Sequence, residues 1–345
     1  MAPTIRSTLI YLFSAVALPW AAYAGSNWAY AVGPAVLSAR SYPLSLVAHS
    51  LAQEAHTGTG RMNPIEDLID AERLQEARTR LKEEIKNRGE DYRTAYLEAK
   101  ILFKERRFLY SLKKLEASFA LGGRHSEVYK LVALNAIALG RVDIAESNLK
   151  IAAQLAPDDD DVHYRLGVLY FLSDRFALCE SEMHRVVELR PTLMLAHDIL
   201  GLALEELGED EAAIDAYRKA IELTRQQHLK DEKAYLHLGK FLERNGRYRE
   251  GLPLLQNAVA LNPSSAEGFF LLGKVHSHLG DDQKAEWALG RAVQIDPDYP
   301  DPYYLLSRIH LKQGRQKEAE REKQLYLKTK EHQRLRENDG RHAVR

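Results

Sequence analysis

The chain contains 345 residues, with 48 Lys and Arg against 49 Asp and Glu, a formal net charge of −1, and 45% hydrophobic residues. This composition excludes wholesale disorder and a collagen-like fold. A near-zero net charge gives no overall field to attract nucleic acid or a membrane, so any recognition driven by charge must be local. The single cysteine, Cys179, excludes an internal disulfide and a cysteine-based zinc site. Length alone predicts two or three domains or one elongated array.

The amino terminus has the pattern of a secretory signal peptide. Arg6 is the only charged residue before Arg40, the run 8–24 is almost entirely apolar, and positions 22–24 form an A-x-A site. We therefore predict a cleaved leader over residues 1–24 and export to a periplasm or to the extracellular space. The alternative is an uncleaved membrane anchor formed by the same apolar run, because a run of this kind can span a bilayer.

A period of 34 residues organises the rest of the chain. Pro157 and Pro191 are 34 residues apart, as are Pro263 and Pro297, and glycines and small residues recur with the same spacing once four extra residues in 224–233 are allowed for. A fixed period in this range indicates stacked supersecondary units. We place the unit starts at 92, 126, 160, 194, 232, 266 and 300, with a partial unit before them. The predicted order is a weakly ordered connector over 25–61, a helical repeat domain over 62–333 and a basic carboxy-terminal tail over 334–345.

These columns resemble the tetratricopeptide repeat family, in which an aromatic residue, a Leu-Gly pair, later alanines and a closing proline recur every 34 residues. The aromatic column contains Tyr129, His163, His197, Tyr235, Phe269 and Tyr303. The resemblance implies an all-α fold, a right-handed superhelical solenoid of antiparallel helix pairs in seven to eight units. Two positions depart from the pattern. Asp174 replaces the glycine of its turn, and Pro253 falls inside a second helix, where we expect a kink or a delayed start.

The search for catalytic and metal-binding motifs finds none. H-E-x-x-H, G-x-S-x-G and the glycine-rich phosphate loops are absent from the sequence. His276 and His310 occupy equivalent positions in successive units, which places them too far apart to share one metal ion. Cys179 lies in the small-residue column and is expected to be a structural thiol. The acidic run 158–161 is better explained by the positive end of a helix than by calcium. We therefore expect no enzyme, no cofactor and no metal site.

The resemblance also implies where a partner would bind, because the first helix of each repeat lines a concave groove in this family. Reading the groove-facing positions predicts an apolar half followed by a basic stripe, which together would hold an extended or helical protein segment. The apolar residues are Leu134, Tyr164, Val168, Phe171 and Leu202, and the basic residues are Lys240, Lys274 and Arg308. The alternative for the stripe is a solvated inner face. The Lys and Asn pattern that clamps carboxylate tails of cytosolic chaperones is not present.

The predicted function is a non-enzymatic protein–protein interaction scaffold or adaptor of the cell envelope, with proteins or peptide segments as partners. One alternative is an accessory subunit that binds a glycan or peptidoglycan strand, although Trp287 alone lies in the repeats. Another is a cytoplasmic or membrane-anchored adaptor, which follows if the leader is not cleaved, and only then is a membrane expected. Residues 312–345 carry a local charge of +5, which predicts a polar capping helix or, alternatively, a contact with anionic surfaces. Nucleic acid is not expected, because no aromatic residue for base stacking follows Leu327. The oligomeric state stays open.

Overall fold

The structure is a computed structural model that describes the backbone of residues 64–342 and the side chains of residues 64–336. The predicted leader and connector, 1–24 and 25–61, lie outside the described residues. Within residues 64–342 the chain forms sixteen α-helices and no strand. The described residues divide into two compact units, an amino-terminal unit of 64–171 with 181–191 and a carboxy-terminal unit of 172–180 with 192–342.

The amino-terminal unit consists of three complete helix pairs and parts of a fourth. Its helices are α1 (Pro64–Asp70), α2 (Leu74–Arg88), α3 (Tyr92–Lys104), α4 (Phe108–Ala120), α5 (Ser126–Ala138), α6 (Val142–Leu155), α7 (Asp160–Leu172) up to residue 171, and the second part of α8 (Phe176–Leu189).

The carboxy-terminal unit begins with the first part of α8 and continues with four further helix pairs. These are α9 (Met194–Leu207), α10 (Asp210–Gln226), α11 (Lys233–Arg244), α12 (Tyr248–Leu261), α13 (Ala266–His278), α14 (Asp282–Ile295), α15 (Pro300–Lys312) and α16 (Gln316–His342). Each of the seven predicted unit starts lies within one residue of the start of a first helix. The all-α architecture of repeated helix pairs is therefore confirmed.

Small residues hold the two helices of each pair together. The column predicted for this contact is buried throughout, and two of its members are Ala145 and Ala213, each with no exposed surface. Glycine is needed where the approach is closest, because a Cβ atom added at Gly201 would lie 2.6 Å from the ring of Tyr217. Residues of this size allow the helix axes to approach while leucine and aromatic side chains fill the space on either side.

The turn within each pair requires one residue in the left-handed conformation. Gly140 and Gly208 have φ values of +71° and +80° there, and Asp174 keeps the same conformation with φ +56°. Arg106 occupies the equivalent turn between α3 and α4 with φ +60°. The turn geometry is thus maintained in repeats that lack the glycine, at the energetic cost that a side chain brings to this region.

The expectation that Pro253 delays the start of its helix is wrong. Helix α12 begins at Tyr248, which is equivalent to the start of α14 at Asp282, and it continues through the proline to Leu261. Pro253 lies on an exposed part of the helix. Arg249, whose carbonyl loses its amide partner there, is also exposed, so hydration can compensate for the lost hydrogen bond. The expected kink stays a prediction.

The last helix is much longer than the other second helices. Helix α16 has 27 residues, against 14 in α14, and it crosses the predicted boundary between the repeats and the basic tail at 333. Its Arg336 lies 2.6 Å from Asp298 in the turn that precedes α15. The boundary at 333 therefore does not coincide with the end of a helix. No helix within 64–342 combines the length and the apolar character needed to cross a bilayer.

The Arg106→Gly variant tests the conformational cost at the turn. Removing the Cβ atom from a left-handed position should raise the free energy of unfolding by about 1 kcal/mol. Urea denaturation followed by circular dichroism measures the change. The matched control is Gly140→Ala, which should lower stability by a similar amount because it introduces the same strain in the next turn. A destabilised Arg106→Gly would contradict the explanation.

Candidate partner-binding face

The acidic run at the start of α7 is a set of ion pairs within the amino-terminal unit. Burial would raise the pKa of Asp161, but the charges of Arg165 and Lys130 outweigh it and lower the pKa. No group of His, Cys, Asp and Glu residues within the described part of the chain is placed to hold a metal ion. The four pairs are Asp158 with Arg185, Asp159 with Lys130, Asp160 with Arg190 and Asp161 with Arg165. These ion pairs therefore link the start of α7 to α5 and to the carboxy-terminal part of α8.

The five residues of the predicted apolar half are all buried. In the amino-terminal unit, Leu134 belongs to a hydrophobic cluster that also contains Leu115 and Leu131. These side chains expose less than a tenth of their surface, so most of their area already contacts the protein. The buried set is Leu134, Tyr164, Val168 and Phe171 in the amino-terminal unit and Leu202 in the carboxy-terminal unit. Their role as partner contacts stays a prediction, but little of their surface is available to a partner.

Two of the three residues in the predicted basic stripe are paired with acids from adjacent repeats. Lys240 of α11 lies 2.6 Å from Glu267 of α13, and both side chains are nearly half exposed. Lys274 of α13 lies 2.8 Å from Glu243 of α11, whose carboxylate is almost completely buried. The stripe is therefore partly neutralised. These acidic partners were not predicted, although Glu267 and Glu243 belong to the repeats adjacent to those of Lys240 and Lys274.

Helix α9, the first helix of the preceding repeat, contacts α11 through buried polar side chains. His237 donates through Nδ1 to the buried carboxylate of Asp198, with distances of 2.9 and 3.1 Å to its two oxygens. Glu205 accepts a hydrogen bond from Tyr217 at 2.8 Å and also pairs with Arg244. Burial alone would lower the pKa of His237, but the charge and hydrogen bond of Asp198 outweigh it and raise the pKa above its usual value.

The third residue of the stripe has a different environment. Arg308 of α15 is exposed, and within the described residues it has no ion pair; its guanidinium lies 5.9 Å from the ring centre of Tyr304. Tyr304 and Leu311 retain 47% and 58% exposure. The three residues are spaced by four and three positions, which places them on one face of the helix. The ring of Tyr326 from α16 lies 5.4 Å from that of Tyr304 and borders the same face.

Exposure along the equivalent positions rises toward α15. The residues that precede Tyr304 by one and two repeats are Phe270, which is half-buried, and Leu236, which is buried. The residues that precede Leu311 by one and two repeats are Ser277, which is half-buried, and Glu243, which is buried. The exposed face of α15 consisting of Tyr304, Arg308 and Leu311 is named here the α15 face. Of the eight predicted site residues, only Arg308 belongs to it.

Two family models match the chain. One described as "Tetratricopeptide repeat" matches residues 133–178, and one described as "Cilia and flagella-associated protein 70 C-terminal domain" matches residues 176–331. The chain is a tetratricopeptide repeat protein. Solenoids of such repeats present extended surfaces for binding other proteins, so the general function of this tetratricopeptide repeat protein is that of a protein-interaction scaffold.

A curated relative matches about half of the chain. The Caenorhabditis elegans protein "BBSome complex member bbs-4" is 24% identical over 180 residues, which are 49% of this tetratricopeptide repeat chain and 37% of the relative. The chain thus spans little more than a third of that relative's length.

Solved structures resemble the chain at lower identity. The Cut9–Hcn1 hetero-tetramer of the APC/C has a TM-score of 0.55 at 16% identity, covering 71% of this chain and 48% of that one. The carboxy-terminal part of a TPR repeat-containing protein from Cytophaga hutchinsonii also has a TM-score of 0.55, at 15% identity, covering 69% and 96%. These likenesses show the fold alone.

The Asp198–His237 pair predicts a pH-dependent stability. Because the pKa of His237 is raised in the folded state, its contribution is fully present below its unfolded value, near pH 6.5, and is lost as the pH rises through the folded value. His237→Gln should therefore lower the free energy of unfolding by about 3 kcal/mol at pH 6, since it leaves a buried carboxylate unpaired. The loss should shrink at higher pH.

Urea denaturation at a series of pH values checks this expectation. The control is His332→Gln, which replaces an exposed histidine on α16 and should leave the pH profile unchanged. A stability difference between wild type and His237→Gln that stays constant from pH 5 to pH 9 would contradict the assignment.

Proposed function

We propose that the chain is a non-enzymatic adaptor whose α15 face binds a segment of a partner protein that combines an apolar side chain with a carboxylate. The observation that carries the proposal is the placement of Tyr304, Arg308 and Leu311 on one exposed side of α15. Aromatic residues and arginine are enriched at the centres of protein interfaces, where they contribute most of the binding energy.

The charge of the partner segment follows from the ion pairs of the three basic residues. Arg308 has no acid beside it among the described residues, so a partner carboxylate gains a full charge-assisted hydrogen bond there. Lys240 and Glu267 form an exposed pair, which contributes little to stability and can exchange its partner. Lys274 is held by the buried Glu243, and separating them would leave that carboxylate unpaired. The proposal therefore centres recognition on Arg308, with Lys240 as a secondary contact.

The similarity to a named complex member supports a role within a multi-protein assembly. The C. elegans relative is named as a member of the BBSome complex, and its likeness covers about half of this chain. We propose a subunit or adaptor role of the same general kind.

We also propose export to the cell envelope, which rests on the leader pattern of residues 1–24. An anchored or cytoplasmic adaptor is the competing candidate. It follows if the apolar run 8–24 is not cleaved. Amino-terminal sequencing of the mature protein distinguishes the two. A start at Gly25 is the expected result, and a protein that retains residues 1–24 would overturn the export proposal while leaving the α15 face untested.

The triple variant Tyr304→Ala, Arg308→Glu, Leu311→Ser tests the α15 face. Proteins that co-purify with the tagged full-length chain from its native source are identified first, and each is then titrated against wild type and variants. Arg308→Glu alone should weaken binding about tenfold and reduce its salt dependence, as expected for an interfacial arginine that meets a carboxylate.

The control is Arg249→Glu, which makes the same charge change on an exposed position of α12, a second helix. Thermal unfolding confirms that each variant folds. A partner that binds the triple variant as tightly as wild type would exclude the α15 face as its site.

A further inference from the structure

The start of α4, in the amino-terminal unit, carries the most exposed large apolar pair in the described part of the chain. Leu109 and Tyr110 retain 68% and 57% of their surface. They lie in the first turn of the helix, directly after the left-handed turn residue Arg106 and its neighbour Arg107. Nothing in the packing of the repeat accounts for them, because α4 faces its own core through Ser111, Leu115 and Ser118.

The other repeats provide an internal comparison for this position. All eight second helices have an equivalent of Leu109, and in the other seven it is never a large apolar residue. Those equivalents are Gln75, Asp143, Ala177, Glu211, Arg249, Gln283 and Lys317. The apolar residue in α4 is thus a departure from what the fold requires, and it occurs where a side chain is in water.

The surroundings of the pair are strongly basic. The segment 104–113 contains four cations, Lys104, Arg106, Arg107 and Lys113, against the single acid Glu105, which gives a local charge of +3. Glu105 lies 2.8 Å from Arg78 on α2 and 3.8 Å from Arg107, so this one acid is shared between two arginines. The guanidinium of Arg107 lies 4.6 Å from the ring centre of Tyr110, so the cationic and the aromatic groups form one surface.

The equivalent turns on either side do not share this charge. The equivalent segments 70–79 and 138–147 each contain more acids than cations and carry a local charge of −1. The positive charge of this edge is therefore concentrated at the turn between α3 and α4. Segment 104–113 with its exposed pair is named here the α4 tip.

We propose that the α4 tip binds the surface of a bilayer that contains anionic lipids. Leu109 and Tyr110 would enter the boundary between headgroups and acyl chains, and the four cations would lie among the anionic headgroups. Tyrosine favours that depth because its ring is apolar and its hydroxyl stays hydrated. Basic residues near such a surface each add to the attraction.

A lipid surface fits the α4 tip better than an acidic protein segment does. The α4 tip has four cations around its exposed pair, and a layer of anionic headgroups can contact all four at once. On the α15 face, by contrast, Arg308 is a single cation and a ring from a second helix, Tyr326, borders the face, which suits a protein segment. A headgroup region is soft and adapts to a protruding pair. The proposal is independent of the leader and of the α15 face, because it involves neither residues 1–24 nor the carboxy-terminal unit.

Vesicle co-sedimentation of the full-length protein tests the proposal. The probes are vesicles of phosphatidylcholine alone and of phosphatidylcholine mixed with phosphatidylserine. Wild type should sediment with the mixed vesicles and not with phosphatidylcholine alone. Arg106→Gln with Arg107→Gln should weaken that binding on the order of 20-fold, since each basic residue contributes about fivefold. Leu109→Gln with Tyr110→Gln should weaken it by tenfold or more, because the apolar contribution is lost.

The matched control is Leu178→Gln. Leu178 is the counterpart of Tyr110 in α8 and is also exposed, but Glu180 follows it and no basic run flanks it. Its replacement should leave vesicle binding unchanged. Circular dichroism of each variant confirms that the repeats remain folded.

Three results would overturn the proposal. Wild type that fails to bind the mixed vesicles excludes a lipid surface. Unchanged binding by the Leu109→Gln, Tyr110→Gln variant shows that charge alone attracts the protein and that the pair does not insert. Loss of an acidic protein partner from that variant, with vesicle binding intact, assigns the tip to a protein instead.

Discussion

The close approach of two helices in every repeat is the constraint on which the rest of the structure depends. It depends on one column of small residues, from Ala77 through Ala145 to Ala285, whose side chains are completely buried. Once a pair is closed in this way, its first helix has one side left to contact the next repeat. That side determines both how neighbours stack and which residues remain for a partner.

Charge compensation follows from this stacking. Lys240 pairs forward with Glu267, whereas Lys274 pairs backward with Glu243, so two residues of the same column select acids in different positions of the repeat. The sequence identifies the column to which each cation belongs. It does not identify the stagger between adjacent first helices, and that stagger decides which acid is reached. For this reason the basic stripe was predictable as a row of residues but not as a partly neutralised surface.

The same distinction separates what was predictable in the fold from what was not. The starts of the repeats follow from spacing, because proline and glycine act through the backbone of their own turn. The exposure of Pro253 and the burial of Leu134 depend on neighbouring helices, and a column read from the sequence assigns the same role to residues whose burial differs. Arg308 and Lys274 illustrate this, since one is exposed without an acid beside it and the other is held by a buried carboxylate.

A repeat protein offers an internal standard, since equivalent residues in its other repeats show what the fold itself needs. Ser111 departs from the alanine of its column but is fully buried, where it donates to the carbonyl of Ala99 and accepts from Asn135. Packing explains a departure of this kind. Leu109 departs from the small or polar residues of its column and lies in water, where an apolar side chain adds nothing to the folded state. Burial therefore separates departures that serve the structure, such as Ser111, from those that point to a partner, such as Leu109.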